Sequence, residues 1–171
     1  GTNAAPVTSP WLANEAASVT LGDGSRGYEN RFGILRNNDS LFVAPDDNAV
    51  VAMNNTTTEL ILDSEVTLAS ISGNGATSAN SAGSVLNVNT GGVLNVTGQS
   101  VHAGQNYRDG YIDLGGWGNG AGSHHMTLIA NGGTVNADRI RVAQAKAGGT
   151  LNVVNGGAVN TTDLQIGFDA H

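Results

Sequence analysis

Asn131-Gly132-Gly133-Thr134-Val135-Asn136 and Asn155-Gly156-Gly157-Ala158-Val159-Asn160 set the same turn and the same following strand 24 residues apart. A third copy, Leu86-Asn87-Val88-Asn89-Thr90-Gly91-Gly92-Val93-Leu94-Asn95, lines up with Leu151–Asn160 and with Thr127–Asn136. Its doublet lies 41 residues before Gly132-Gly133, which is one repeat plus an insertion of about 17 residues. The two later copies continue in step into Ile140-Arg141-Val142-Ala143 and Leu164-Gln165-Ile166-Gly167, and the first reaches Val101-His102-Ala103-Gly104. A fourth doublet, Gly148-Gly149, falls in the connection between copies.

A fixed period in the twenties with short alternating apolar triplets is the signature of a solenoid, each repeat being one coil stacked on the next. Every copy offers three short strands: one before the doublet, one after it and one further on. Alternation turns every second side chain inward. Gly-Gly supplies the corner, because glycine adopts positive φ at no steric cost. The spacing therefore predicts an all-β chain, a right-handed parallel β-helix (β-solenoid) of about five to seven coils with a period near 24 residues. Leu86, Val88, Val135, Val142, Leu151, Val153, Val159, Leu164 and Ile166 are the expected interior. Asn95, Asn136 and Asn160 share one repeat position, so the insertion must loop out if their amides are to bond from coil to coil.

Before residue 84 the repeat is looser. Leu60-Ile61-Leu62 and Val66-Thr67-Leu68, followed by Ile71, flank the corner Asp63-Ser64-Glu65. Leu41-Phe42-Val43 and Val50-Val51-Ala52 flank Pro45-Asp46-Asp47-Asn48, and Val19-Thr20-Leu21-Gly22 has the spacing of Leu164–Gly167. The chain divides into residues 1–18, an N-terminal cap or extended tail, and 19–171, the solenoid. Within the latter, coils are irregular over 19–83 and regular over 84–168, with a loop insertion at 105–122. Ser9-Pro10-Trp11-Leu12 carries a helix-start pattern, serine as N-cap and proline at the first helical position.

Composition agrees. The chain has 25 glycines and about 20 asparagines, 39% apolar residues and 12% charged ones, a set poor in helix formers and rich in turn formers. Apolar residues at regular strand spacing argue against disorder. A formal charge of −7 and a single lysine, Lys146, exclude a basic stripe able to neutralise phosphates, so nucleic acid is not an expected partner. There is no cysteine, hence no disulfide framework and no thiolate metal site. No apolar run approaches the roughly 20 residues of a membrane-spanning helix.

The pattern Leu-x-Val-x-x-Gly-Gly-x-Val-Asn followed by Leu-x-Ile-Gly resembles the strand-loop-strand repeats of bacterial autotransporter passengers and of related secreted and cell-surface β-solenoids of bacteria. Gly118-Asn119-Gly120-Ala121-Gly122-Ser123 is similar to the connecting segment of those repeats, and Gly73–Ser78 echoes it. The resemblance covers residues 84–168 closely and 19–83 loosely. It implies an exported bacterial chain, extracellular or at the cell surface, used for display, adhesion or as a stalk, and it brings no catalytic residues with it.

Leu114-Gly115-Gly116-Trp117-Gly118-Asn119-Gly120 approaches a glycine-rich calcium repeat but has Gly120 where an aspartate is needed. Calcium stays open only through Asp46-Asp47 and Asp23-Gly24, both equally explained as turn residues; no metal site and no cofactor is assigned. Adjacent His124 and His125 would point to opposite faces of a strand and form no metal pair. The densest aromatic and charged cluster lies in the insertion: Tyr107, Arg108, Asp109, Tyr111, Asp113 and Trp117. Insertions project from a solenoid and carry binding residues. Rings of this kind stack on sugars while carboxylate and guanidinium groups bond the hydroxyls, so these six are the candidate glycan-binding residues. The alternative is that the same aromatics fold down to cover a coil.

Catalysis on this architecture requires an arginine or lysine base beside acids, or two close carboxylates in a groove. Arg139 and Arg141 with Asp138 and Asp163 are its only trace. Asp163 shares the repeat position of Arg139, so a salt bridge between stacked coils is the simpler reading. The expectation is a non-enzymatic structural or adhesive segment: stalk, adhesin or fibre building block, with end-to-end self-association as one partner mode. The alternative is a polysaccharide-binding or polysaccharide-degrading β-helix.

Overall fold

The computed structural model describes residues 19–20, 28–30, 34–37, 42–43, 50–53, 59–73, 83–97, 109–115, 125–143 and 148–167. These residues are all-β: fifteen strands and no helix. Every pairing between the strands is parallel. The N-terminal strands are short: β1 (Val19–Thr20), β2 (Tyr28–Asn30), β3 (Ile34–Arg36), β4 (Phe42–Val43) and β5 (Val50–Met53). Around the expected corner at residues 63–65 come β6 (Glu59–Leu62), β7 (Glu65–Leu68) and β8 (Ser70–Gly73). The three glycine-doublet copies become β9 (Ser84–Asn89) with β10 (Val93–Val96), β12 (Met126–Asn131) with β13 (Thr134–Val142), and β14 (Gly149–Val154) with β15 (Ala158–Ile166). β11 (Tyr111–Asp113) stands between the first and second copies.

Strands that follow one another in sequence do not pair; each pairs with its counterpart one repeat away. A first ladder runs β3-β6-β9-β12-β14. A second runs from β7 through β10 to the first halves of β13 and β15. A third runs β2-β5-β8-β11 into the second halves of the same two long strands. β1 pairs β4 separately.

The core is made of columns of aliphatic side chains that this register stacks. Leu60, Leu86 and Leu128 form one, Val66, Leu94 and Val135 another, and Val51, Ile71, Ile112 and Ile140 a third, nearly all without solvent contact. Burial of each such side chain contributes roughly 1.5–3 kcal/mol.

Three sequence expectations need correction. Val153, Leu164 and Ile166 continue these columns in register, Val153 opposite buried Ala130. Yet they are 49%, 48% and 73% exposed. Their direction is the expected one, but among the described residues β14 and β15 pair on one side only, which leaves these side chains uncovered. The alignment also set Thr127 opposite Leu86, whereas Leu128 pairs with both Leu86 and Leu151. The middle turn, Asn131 to Thr134, is one residue shorter than Asn89 to Val93 or Val154 to Ala158, which shifts the preceding strand by one. Finally, the partner of Arg139–Arg141 in the copy before is Tyr111–Asp113. Val101–Gly104 lies outside the described residues, and 105–122 is therefore not one loop. The helix-start pattern at 9–12, the cap at 1–18 and the candidate calcium turns also lie outside them.

The two glycines of a doublet answer different demands. Gly156 has φ +78° with open space where a Cβ would stand. It follows Asn155, itself at φ 52°, and Gly157 N–H closes the turn on Val154 C=O at 2.9 Å. Two successive positive φ values suit asparagine and glycine. Gly157 is instead required by contact: a Cβ there would lie 2.1 Å from the Ala130 carbonyl oxygen.

Candidate functional site

The outer surface of the third ladder is built from one repeated triplet, polar-aliphatic-polar: Ser70-Ile71-Ser72, Tyr111-Ile112-Asp113, Arg139-Ile140-Arg141 and Asp163-Leu164-Gln165. With the central residue turned into the core, both flanking side chains must face out. The register then stacks Ser70, Tyr111, Arg139 and Asp163 in one outer column and Ser72, Asp113, Arg141 and Gln165 in the next.

Five of these residues close a ring of interactions. Arg139 donates from Nη1 to Tyr111 Oη at 2.5 Å, and its guanidinium carbon lies 4.8 Å from the Tyr111 ring centre. Arg139 Nε is 2.5 Å from Asp163 Oδ2, a charge contact whose angle is outside hydrogen-bond geometry. Gln165 Nε2 donates to the same Asp163 oxygen at 2.9 Å. Gln165 Oε1 in turn accepts from Arg141 Nε at 3.0 Å. Arg141 returns to Tyr111 with its guanidinium carbon 5.2 Å from the ring centre. Cation–π contacts of this kind are worth about 0.5–1 kcal/mol where exposed and more where water is excluded. Arg141 is 6% exposed and Asp113, opposite it in register, 9%.

Of the six candidate glycan residues, Tyr111 and Asp113 are thus brought together with Arg139, Arg141, Asp163 and Gln165. Asp109 is exposed in the turn before β11, away from the core. Tyr107, Arg108 and Trp117 lie outside the described residues. Turn geometry sets the entry to the site. Gly110, at φ +76°, leaves room for the Asp138 side chain, which would stand 2.3 Å from a Cβ there. Its carbonyl accepts the N–H of both Asp138 and Arg139. The expected ladder pair Arg139–Asp163 is present; that Tyr111 joins it was not apparent, because the insertion hides which residues precede Arg139 by one repeat. The shared triplet was the signal that could have found it.

Two amide ladders run along the corners. In one, Asn136 donates to Asn95 and Asn160 to Asn136, each at 2.8 Å, and Asn95 donates to Glu65 at 2.8 Å. Despite the 41-residue gap, Asn95 and Asn136 are therefore direct neighbours one repeat apart, as expected, even though part of the insertion, Tyr111–Asp113, lies in the third ladder. The other ladder has the same form: Asn155 to Asn131 at 2.6 Å, Asn131 to Asn89 at 3.2 Å and Asn89 to Asp63 at 2.8 Å. Both start on a carboxylate, where a charge-assisted bond is strongest, and alignment of successive amides polarises the row. Asp63 is further held by Arg36 at 2.9 Å and its N–H by Asn37 Oδ1 at 2.8 Å.

Among the described residues no group of three His, Cys, Asp or Glu side chains could hold a metal ion, and no helix is long and apolar enough to cross a membrane. Comparison with family models, curated proteins and solved structures gives no match to this chain.

Proposed function

We propose that the chain is a right-handed parallel β-helix serving as a non-catalytic structural or adhesive segment outside a bacterial cell: stalk, adhesin part or fibre building block. Support for the helix comes from three parallel ladders visited in turn by successive strands, with register preserved from β6 to β15. The right hand is supported by the 24-residue step between repeats, since a hexapeptide left-handed helix would need a period of about 18. Export rests on the resemblance of the repeats to autotransporter passengers.

The observation that carries the scaffold reading is that the outward polar groups bond to their own counterparts one repeat away. Arg139 and Arg141, the only trace of a lyase base, are engaged by Tyr111, Asp163 and Gln165, and a guanidinium so engaged is a poor proton acceptor. The test is a panel of neutral and uronic polysaccharides, read for reducing ends and unsaturated products. The expected outcome is no turnover; product formation that disappears in Arg141→Ala defeats the reading.

Glycan binding is the second reading, favoured by the half-buried Tyr111 ring flanked by two guanidinium groups on an outward face. A glycan array decides it, since a binder whose signal falls in Tyr111→Ala would establish that role.

A further inference from the structure

We infer that the Asp63-Ser64-Glu65 turn sets the direction of both amide ladders, and that the ladder headed by Glu65 is one two-state unit whose asparagines reverse together. Hydrogen bonds converge on this turn from both sides. From the rung before it, Arg36 donates to Asp63 Oδ2 at 2.9 Å, and Asn37 Nδ2 donates to the Ser64 carbonyl at 3.0 Å and to its hydroxyl at 2.7 Å. From the rung after it, Asn89 donates to Asp63 Oδ1 and Asn95 to Glu65 Oε1, each at 2.8 Å. An ionised carboxylate accepts and cannot donate, so an amide that bonds it must present its nitrogen.

That constraint passes from rung to rung. A carboxamide carries its donor and its acceptor on one carbon, so an asparagine that turns Nδ2 to the earlier rung leaves Oδ1 for the later one. With Asn95 committed to Glu65, Asn136 must donate to Asn95 and Asn160 to Asn136, which is the arrangement present. Strand register does not impose this choice. Register sets Asn95 opposite Thr67, whose hydroxyl both gives and takes hydrogen bonds and would leave either direction open. The Asn95 amide bonds Glu65 instead, two residues back, where the acceptor is charged and the bond stronger.

A half-turn about the last side-chain torsion exchanges Nδ2 and Oδ1 with almost no change of shape, so a fully reversed row packs as well as the natural one. A single flipped amide fares worse, because it opposes donor to donor on one side and acceptor to acceptor on the other. Mixed rows therefore lie above both uniform ones, and the row behaves as a unit. Asn95 and Asn136 each have a paired rung on both sides, so the coupling is a property of the stacked coils themselves. The second ladder has the same polarity, Asn155 to Asn131 to Asn89, but its head, Asp63, is a different carboxylate. The two rows can thus be switched separately.

Magnetic resonance couplings across the hydrogen bonds, between side-chain nitrogen and carbon nuclei of the isotope-labelled full chain, read the direction of each bond. The natural chain should couple Asn136 Nδ2 to Asn95 Cγ and Asn160 Nδ2 to Asn136 Cγ. Glu65→Lys, at an exposed position, replaces the accepting head by an ammonium donor. Both couplings should vanish and be replaced by Asn95 Nδ2 to Asn136 Cγ and Asn136 Nδ2 to Asn160 Cγ. The Asn131 Nδ2 to Asn89 Cγ coupling of the other ladder should stay unchanged. Original couplings that persist in Glu65→Lys mean that each strand orients its own amide, and they overturn the inference. Loss of both couplings with no reversed pair in their place overturns it as well, because the row then does not act as a unit. Should Glu65→Lys fail to fold, Glu65→Gln decides, since its amide can head the row in either direction. Both sets of couplings, each reduced, are expected there, and the original set at full size overturns the inference.

Discussion

Substituting the first glycine of one doublet, Gly156, and the second glycine of another, Gly133, should give costs that differ by severalfold, for different reasons. Gly156 sits at φ +78° with nothing within 4 Å of a Cβ position. Alanine there meets only the torsional penalty of the left-handed region, about 1 kcal/mol. Asparagine tolerates that region, so Gly156→Asn should lie within a few tenths of a kcal/mol of the natural chain. Gly133 presents the opposite case. Its Cβ would lie 2.5 Å from Asn89 O, 2.6 Å from Val88 O and 2.7 Å from Val88 Cγ1. Two of these atoms are carbonyl oxygens of β9, which is paired on both sides by β6 and β12. Reaching ordinary contact requires a displacement of roughly 1 Å, at the turn where Thr134 N–H bonds Gly92 O at 3.0 Å. Overpacking of this kind costs about 1–3 kcal/mol, and weakening the adjacent bond adds about 1 kcal/mol, so Gly133→Ala should cost about 3 kcal/mol. Urea unfolding followed by circular dichroism measures all three variants, and equal m values show that the same structure is lost. If Gly133→Ala costs no more than Gly156→Ala, the contact argument is wrong. If Gly156→Asn is as costly as Gly156→Ala, the torsional argument is wrong.

Val88 and Val153 occupy one column, yet Val88→Asp should unfold the chain or render it insoluble, since an unpaired buried charge costs several kcal/mol. Val153→Asp, already half exposed, should cost no more than about 1 kcal/mol by the same urea assay. Asn136→Ala removes one donated and one accepted bond, and a loss of about 1–2 kcal/mol is expected; Asn160→Ala, which removes the bond donated to Asn136, should lose about half as much. A double-mutant cycle on Arg139 and Asp163, whose side chains are 30% and 34% exposed, should return a coupling of about 0.5–1 kcal/mol. That coupling should shrink in about 1 M salt, where charges are screened beyond roughly 3 Å. An undiminished coupling would mean that the pair is desolvated.

Much of the ladder surface is legible before any coordinates. The 24-residue step from Gly132 to Gly156 places Asp163 opposite Arg139 and Asn160 opposite Asn136, and both pairs form. Alternation around Ile140 and Leu164 is enough to turn Arg139, Arg141, Asp163 and Gln165 outward. The second amide ladder, Asn89-Asn131-Asn155, is equally repetitive but less legible, because the one-residue-shorter turn at Asn131 puts Asn89 out of step with the other two in the alignment. Tyr111 stands out in the sequence for its chemistry and not for its position: nothing in an insertion of unknown path says which three residues will rejoin the third ladder.

Repetition by itself determined the all-β character of this chain, the side on which each strand residue falls and the partners one repeat away. These follow from local geometry, a period of two along a strand and a fixed number of residues per repeat. Only the tertiary structure decided which rungs are covered on both sides. Leu86 and Leu164 carry the same pattern in sequence, yet one has no solvent contact and the other is 48% exposed. Burial is a property of the neighbour above as well as of the residue, and that neighbour is not encoded in the spacing. The same holds for Gly157, whose need to be glycine comes from a carbonyl 27 residues earlier, at Ala130, pressing on the one position where a side chain has no room.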